Sequence, residues 1–197
     1  MLALGVDISV LPCTKYVVGH SDAMVGAVLS NEGAKDRVRR YWADTGTAIG
    51  PDDAWLALRG LRTLPVRLDQ HARNAIAVAR WLETRPEVER VLYPALESHP
   101  QHALWKRDFR GASGLFSIVL KPCSETATAA FLDRLSLFGM GYSWGGFESL
   151  AVPFKPHRTA TKWLPEGYSI RFHIGLESPD DLKADLEEGF AALKSAT

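Results

Sequence analysis

Lys15 stands in the run Pro12-Cys-Thr-Lys-Tyr-Val-Val-Gly-His20, directly after the apolar stretch Val6-Asp-Ile-Ser-Val-Leu11. A lysine held at a strand end attacks carbonyls when its surroundings keep part of it unprotonated. Thr14 beside it adds a hydroxyl able to donate to an anionic group such as a phosphate. A lysine taken alone is most simply a solvated surface charge, so a second anchor is needed. Arg171, in Ser169-Ile-Arg-Phe-His-Ile-Gly-Leu-Glu177, is a charge set among Ile170, Phe172, Ile174 and Leu176. Buried there, it must find a partner. Its planar fork can pair with both oxygens of a carboxylate, and a structural ion pair is the competing reading.

The elements that would carry these residues follow from hydrophobic period and punctuation. Val6 to Leu11 reads as a short strand of the kind buried in a parallel or mixed sheet, with Met24 to Ser30 as the next. An amphipathic helix spans about residues 33 to 43 and stops at Thr45-Gly46. Pro51-Asp-Asp opens another, suited by its proline and acids to a first turn and ending near Gly60 to Leu64. From Pro65 to about Thr84, Val66, Leu68, Ala72, Ala75, Val78 and Leu82 keep helical spacing. The remainder alternates: strand 88–93, helix 99–109, strand 114–120, helix 124–136, strands 139–143 and 169–176, and a helix from Pro179 to Lys194 with Ser178 as its N-cap. Residues 151–167, rich in proline, basic and aromatic residues including Trp163 and Pro165, read as a loop bordering the substrate site.

Composition excludes several classes. The 197 residues carry 23 basic and 23 acidic side chains, which leaves no electrostatic footprint for nucleic acid or an anionic membrane. No apolar run approaches the roughly 20 residues that cross a bilayer, and the first residues lack the basic region of a signal peptide. Two cysteines, Cys13 and Cys123, make no disulfide framework. A cytoplasmic protein is expected.

Residues 6 to 24, Leu137-Phe-Gly-Met-Gly-Tyr-Ser-Trp-Gly-Gly-Phe-Glu-Ser-Leu150 and Ser169 to Glu177 together resemble the Cys/Met-metabolism family of pyridoxal-phosphate (PLP) enzymes. Arg59-Gly-Leu-Arg-Thr-Leu-Pro-Val-Arg-Leu68 and Trp105-Lys-Arg-Asp-Phe-Arg-Gly-Ala-Ser-Gly-Leu-Phe-Ser117 extend the resemblance along the chain. Members of that family are much longer, so the chain is expected to match their C-terminal half only. The implied fold is α/β: the C-terminal part of a type I PLP-dependent transferase (aspartate aminotransferase-like) fold. Residues 1–61 would be the remnant of the large PLP-binding domain and residues 62–197 the small C-terminal domain.

The resemblance also implies roles. Lys15 would be the Schiff-base lysine of pyridoxal 5'-phosphate and the acid–base group, and Thr14 would donate to the cofactor phosphate. Arg171 would grip the substrate α-carboxylate, with Ser143 and Trp144 beside it and Tyr142 shaping the wall. Trp144 is the residue common in carbon–sulfur β-lyases of the family, where γ-lyases usually carry leucine. The implied reaction is β-elimination from cystathionine or a related cysteine S-conjugate, a transsulfuration step of methionine biosynthesis. A γ-lyase of the same family, a folded fragment without activity and half of a split enzyme are the alternatives. A homo-oligomer, the family tetramer, or a missing N-terminal half are the expected partners. Many members carry serine where this chain has Pro12, which offers neither hydroxyl nor amide hydrogen. His20 and His173 read as structural residues, Asp7 does not replace the family's ring-nitrogen acid, and no metal is expected.

Overall fold

The computed structural model describes residues 1–160, 162 and 167–197. Trp163 and Pro165, which the loop reading singled out, lie outside them. The chain divides into two compact units, Met1–Leu64 and Pro65–Thr197.

In the first unit β1 (Ile8–Pro12) pairs antiparallel with β2 (Gly26–Ser30), Val10 opposite Val28. The expected burial in a parallel or mixed sheet is not found. Val10 is 71% and Val28 53% exposed, because a two-stranded ribbon has no further layer to cover its apolar side chains. Helix α1 (Glu32–Thr45) begins at Asn31, whose side chain accepts the Ala34 amide hydrogen, and ends at Gly46. Asp7 accepts from the Asn31 side-chain amide at 2.7 Å, so its carboxylate serves that cap.

Helix α2 runs unbroken from Pro51 to Glu83 with Pro65 inside it, where two helices are expected from the sequence. Proline removes one rung of the helix ladder at a cost of about 3 kcal/mol. Full burial of Ala75, Val78, Ala79 and Leu82 offsets this, each large apolar side chain contributing about 1.5–3 kcal/mol. The buried face of α2 then continues through the polar residues Asn74, His71 and Arg67, leaving Val66 exposed. His71 Nδ1 donates to the Ile174 carbonyl at 2.8 Å, and the Asn74 amide donates to the carbonyls of Gly175 and Glu177.

The second unit holds an antiparallel sheet in the order β3 (Val88–Leu92), β4 (Leu115–Leu120), β6 (Ser169–His173), β5 (Leu150–Phe154). Helices α3 (His102–Asp108), α4 (Glu125–Arg134) and α5 (Pro179–Ser195) complete it. Phe116 pairs with Phe172 and Ile118 with Ile170, and this face packs with Phe131, Leu186 and Phe190 in one core. The opposite face carries Ser117, Arg171 and Val152 in register, with His173 two residues further along β6. The expected strand 139–143 reduces to one bridge, Gly139 to Leu150, after which the chain leaves the sheet. Strand β5, expected as loop because of Pro153, forms at the sheet edge, where proline is tolerated. Ser178 starts α5 without a side-chain cap bond, leaving Pro179 and the acids Asp180 and Asp181 to favour its first turn.

Asp185 on α5 is buried and fastens the end of α4 to it. Its carboxylate accepts from the Ser136 amide (2.9 Å), the Ser136 hydroxyl (2.7 Å) and the Leu137 amide (2.9 Å). Asp185→Ala strands these donors and is expected to lower the unfolding free energy in urea by about 2–3 kcal/mol. An unchanged midpoint would mean that water replaces the carboxylate without loss.

His71 and His173 are fully buried with ring centroids 5.2 Å apart. Burial, aided by the charges of His71 and Arg171 against a raising contact from Gly146, pushes His173 down to about 4, and burial also lowers His71. The unfolded chain takes up these protons near pH 6.5, whereas folded His173 does so only near 4. Between those values the unfolded state binds more protons, so stability falls as pH drops through the window, by on the order of 3 kcal/mol for His173. Urea midpoints are expected to be flat above the window and to decline below it, less steeply in His173→Gln. An equally steep decline in that variant would assign the acid lability to other groups.

Candidate functional site

Lys15 lies in the first unit on a compact turn that follows β1. The Lys15 amide donates to the Pro12 carbonyl (3.0 Å), Val18 to Cys13 (2.8 Å) and Gly19 to Lys15 (2.8 Å). His20 Nδ1 donates to the Val18 carbonyl at 2.8 Å, a structural use of that ring. Helix α2 backs the turn at Gly60. A Cβ there would stand 2.2 Å from the Val17 carbonyl oxygen and 2.6 Å from that of Val18, so only glycine permits the approach. The turn is therefore braced by the local ladder and by α2, and Lys15 is held half-buried. Gly60 has no chemistry of its own, and the sequence alone presents it as a helix end.

Thr14 fixes the other side of the turn. Its amide donates to the Val25 carbonyl, and its hydroxyl accepts from the Val25 amide at 2.8 Å and donates back to that carbonyl at 3.3 Å. Cys13 between Pro12 and Thr14 is buried, and burial pushes its thiol up.

The remaining candidates gather in the second unit. Arg171 is half-buried on β6, its guanidinium carbon 5.8 Å from the Tyr142 ring centroid and 5.7 Å from that of Trp144, both within cation–π range. Arg171 Nη2 stands 3.5 Å from the Ser143 carbonyl, at the outer limit of a hydrogen bond. Among the described residues no ion pair includes Arg171. Among the described residues the competing structural ion pair is not found. Two aromatic faces and a carbonyl support the cation while leaving it without an anionic partner among the described residues.

The segment after Trp144 is anchored at both ends. Gly145, at φ +83°, turns the chain as an L side chain would do only under strain. Its amide donates to His173 Nε2 at 3.0 Å. Four residues on, the Ser149 amide and hydroxyl both donate to the Glu177 carboxylate (2.7 and 2.9 Å), while the hydroxyl accepts from the Gly175 amide (2.9 Å). Sequence reading treats His173 as structural. The signal for its joint use with Ser149 is the polar spacing along β6 and the following residues, Arg171, His173 and Glu177.

The profile of the Cys/Met metabolism PLP-dependent enzymes matches residues 1–191. Cystathionine beta-lyase of Bordetella avium is 49% identical over 95% of this chain and 48% of its own length. Cystathionine gamma-lyase of Mus musculus is 43% identical over 99% and 50%. Cystathionine gamma synthase of Xanthomonas oryzae pv. oryzae, solved in complex with cystathionine, superposes with TM-score 0.87 at 34% identity, covering 100% of this chain and 52% of that one. The chain spans about half the length of the curated relatives it matches.

These matches correct two expectations. From the sequence, a match to the C-terminal half only is expected, with the fold as the C-terminal part of a type I PLP-dependent transferase. The profile and the solved structure instead embrace nearly the whole chain, in both units, and the fold is the type I aminotransferase-like fold of PLP enzymes. The expectation leaned on how long family members are, whereas the fold signal is carried by residue strings that begin at the first strand. Among the described residues no helix is long and apolar enough to cross a membrane. Matched from residue 1 to 191, and 49% identical to one relative along 95% of its length, this chain belongs to the family of Cys/Met metabolism PLP-dependent enzymes.

Proposed function

We propose that this chain serves a carbon–sulfur β-lyase that cleaves cystathionine, or a related cysteine S-conjugate, to a thiol, pyruvate and ammonia. The observation that carries the reading is Arg171, a half-buried guanidinium set between Tyr142 and Trp144 with no ion pair among the described residues. Such a group suits the α-carboxylate of an amino acid, gripped through both oxygens. In this reading residues 1–61 carry the cofactor amine and residues 62–197 the carboxylate anchor.

The residues fit pyridoxal phosphate best at its carbonyl end. Lys15 offers a half-buried amine on a braced turn. Thr14 suits the phosphate if its hydroxyl proton leaves the Val25 carbonyl, the longer of its two bonds at 3.3 Å. Pro12 contributes no donor there. When bound, the cofactor supplies an electron sink for the carbanion formed at the substrate Cα.

Lys15 Nζ would hold the cofactor, and its free amine would take the substrate Cα proton. Breaking the Cβ–S bond sends the electron pair out on sulfur, and the same amine returns a proton to it. Water then completes the conversion of the three-carbon remainder to pyruvate and ammonia. Arg171 orients the carboxylate, Ser143 lies alongside, and Tyr142 and Trp144 flank the guanidinium. Trp144 supports the β-lyase over the γ-lyase branch by resemblance. Exposed Val10, Val28, Trp42 and Trp55 support association with further protein, such as a homo-oligomer.

The test begins with pyridoxal phosphate and the purified chain. A visible absorption band, and a borohydride-reduced adduct mapped to Lys15, are expected and should vanish in Lys15→Ala. A band that persists in that variant would remove Lys15 from the role. With turnover, cystathionine should yield pyruvate, whereas 2-oxobutanoate would assign the γ-lyase reaction. Arg171→Lys is expected to raise the KM for cystathionine about tenfold or more, equivalent to about 1.4 kcal/mol; an unchanged KM would place the carboxylate elsewhere.

A further inference from the structure

Arg171 and His173 share one face of β6, but only Arg171 has access to solvent. His173 Nε2 accepts the Gly145 amide hydrogen at 3.0 Å, an arrangement that puts the ring hydrogen on Nδ1. The Gly146 carbonyl lies 3.2 Å from the same nitrogen and would be its partner in the other tautomer, so each tautomer grips one residue of the same turn. Behind it, His71 packs at 5.2 Å and holds the chain just past β6 through the Ile174 carbonyl. The imidazole is therefore fixed on one side and bonded to a glycine turn on the other.

That turn directly follows Trp144. Its far end is already tied by Ser149 to Glu177, so Gly145 is the near anchor of the segment carrying Tyr142, Ser143 and Trp144. These three line the approach to Arg171. Without the bond at Gly145 the backbone there would lose its acceptor, and both rings would lose their fixed distance from the cation.

We infer that His173 is a positioning residue for carboxylate recognition: by holding the Gly145–Gly146 turn it sets Ser143 and Trp144 beside Arg171. This rests on Arg171 being the carboxylate anchor. The inference concerns placement of a recognition segment and not proton transfer, since His173 is buried and bonded to backbone.

The experiment uses nuclear magnetic resonance on the full chain, with and without L-cystathionine. In the native protein a through-hydrogen-bond coupling between the Gly145 nitrogen and His173 Nε2 is expected, as is a ring-current shift of the Arg171 Nε–H. His173→Leu removes the acceptor at similar bulk, and His173→Asn withdraws it if the leucine variant does not fold. Either is expected to speed Gly145 amide exchange at least tenfold, abolish the Arg171 ring-current shift and weaken cystathionine about tenfold, while β4 and β6 amides stay protected. His173→Gln, which returns an acceptor near the Nε2 position, should restore binding to within about threefold. A native Arg171 shift in the leucine or asparagine variant would overturn the inference, and so would native cystathionine affinity. Arg171→Ala separates the two readings: if it leaves affinity unchanged, the carboxylate assignment fails, while the ligand-free coupling and shift still decide the role of His173.

Discussion

Strand β6 must satisfy two incompatible environments at once, and the alternation of side chains along a strand is what allows it. Ile170 and Phe172 enter the core, where Phe116 and Phe138 meet the Phe172 ring. Arg171 and His173 face the other way, toward polar backbone and aromatic rings. A register slip of one residue would put the guanidinium into hydrocarbon and a phenylalanine into the site. The large apolar contribution on one face therefore fixes the position of the charge on the other.

That arrangement also explains why so many polar groups are buried nearby. Beyond β6 the chain has left its ladder, and its carbonyls at Ile174, Gly175 and Glu177 need donors. His71 and Asn74 on α2 provide them, while Glu177 in turn accepts from Ser149. A helix face with purely apolar residues at these positions would leave the carbonyls unsatisfied. The polar patch is the condition for ending a strand early and using the freed chain to hold the segment that carries Tyr142, Ser143 and Trp144.

Much of this was legible in residue types. Lys15, Arg171 and the Tyr142–Trp144 string stood out, and strands near β3, β4 and β6 were legible, though not their antiparallel pairing. What escaped were features set by tertiary context. Pro65 reads locally as a helix stop, but burial beyond it outweighs one lost rung. Pro153 reads as loop because nothing in the sequence reveals that its strand sits at an edge. His71 and Asn74 look like surface polar residues until their carbonyl partners, about a hundred positions on, are seen.

Cys13 has a consequence for selectivity. Two nucleophiles stand within three residues of each other after β1, a thiol and an amine, and sulfur is ordinarily the faster toward an electrophile. Here the thiol is folded inward and kept in its protonated, poorly nucleophilic form, whereas Lys15 is only half-buried. An electrophile arriving at this turn finds the sulfur withdrawn, which leaves the amine as the more accessible of the two groups.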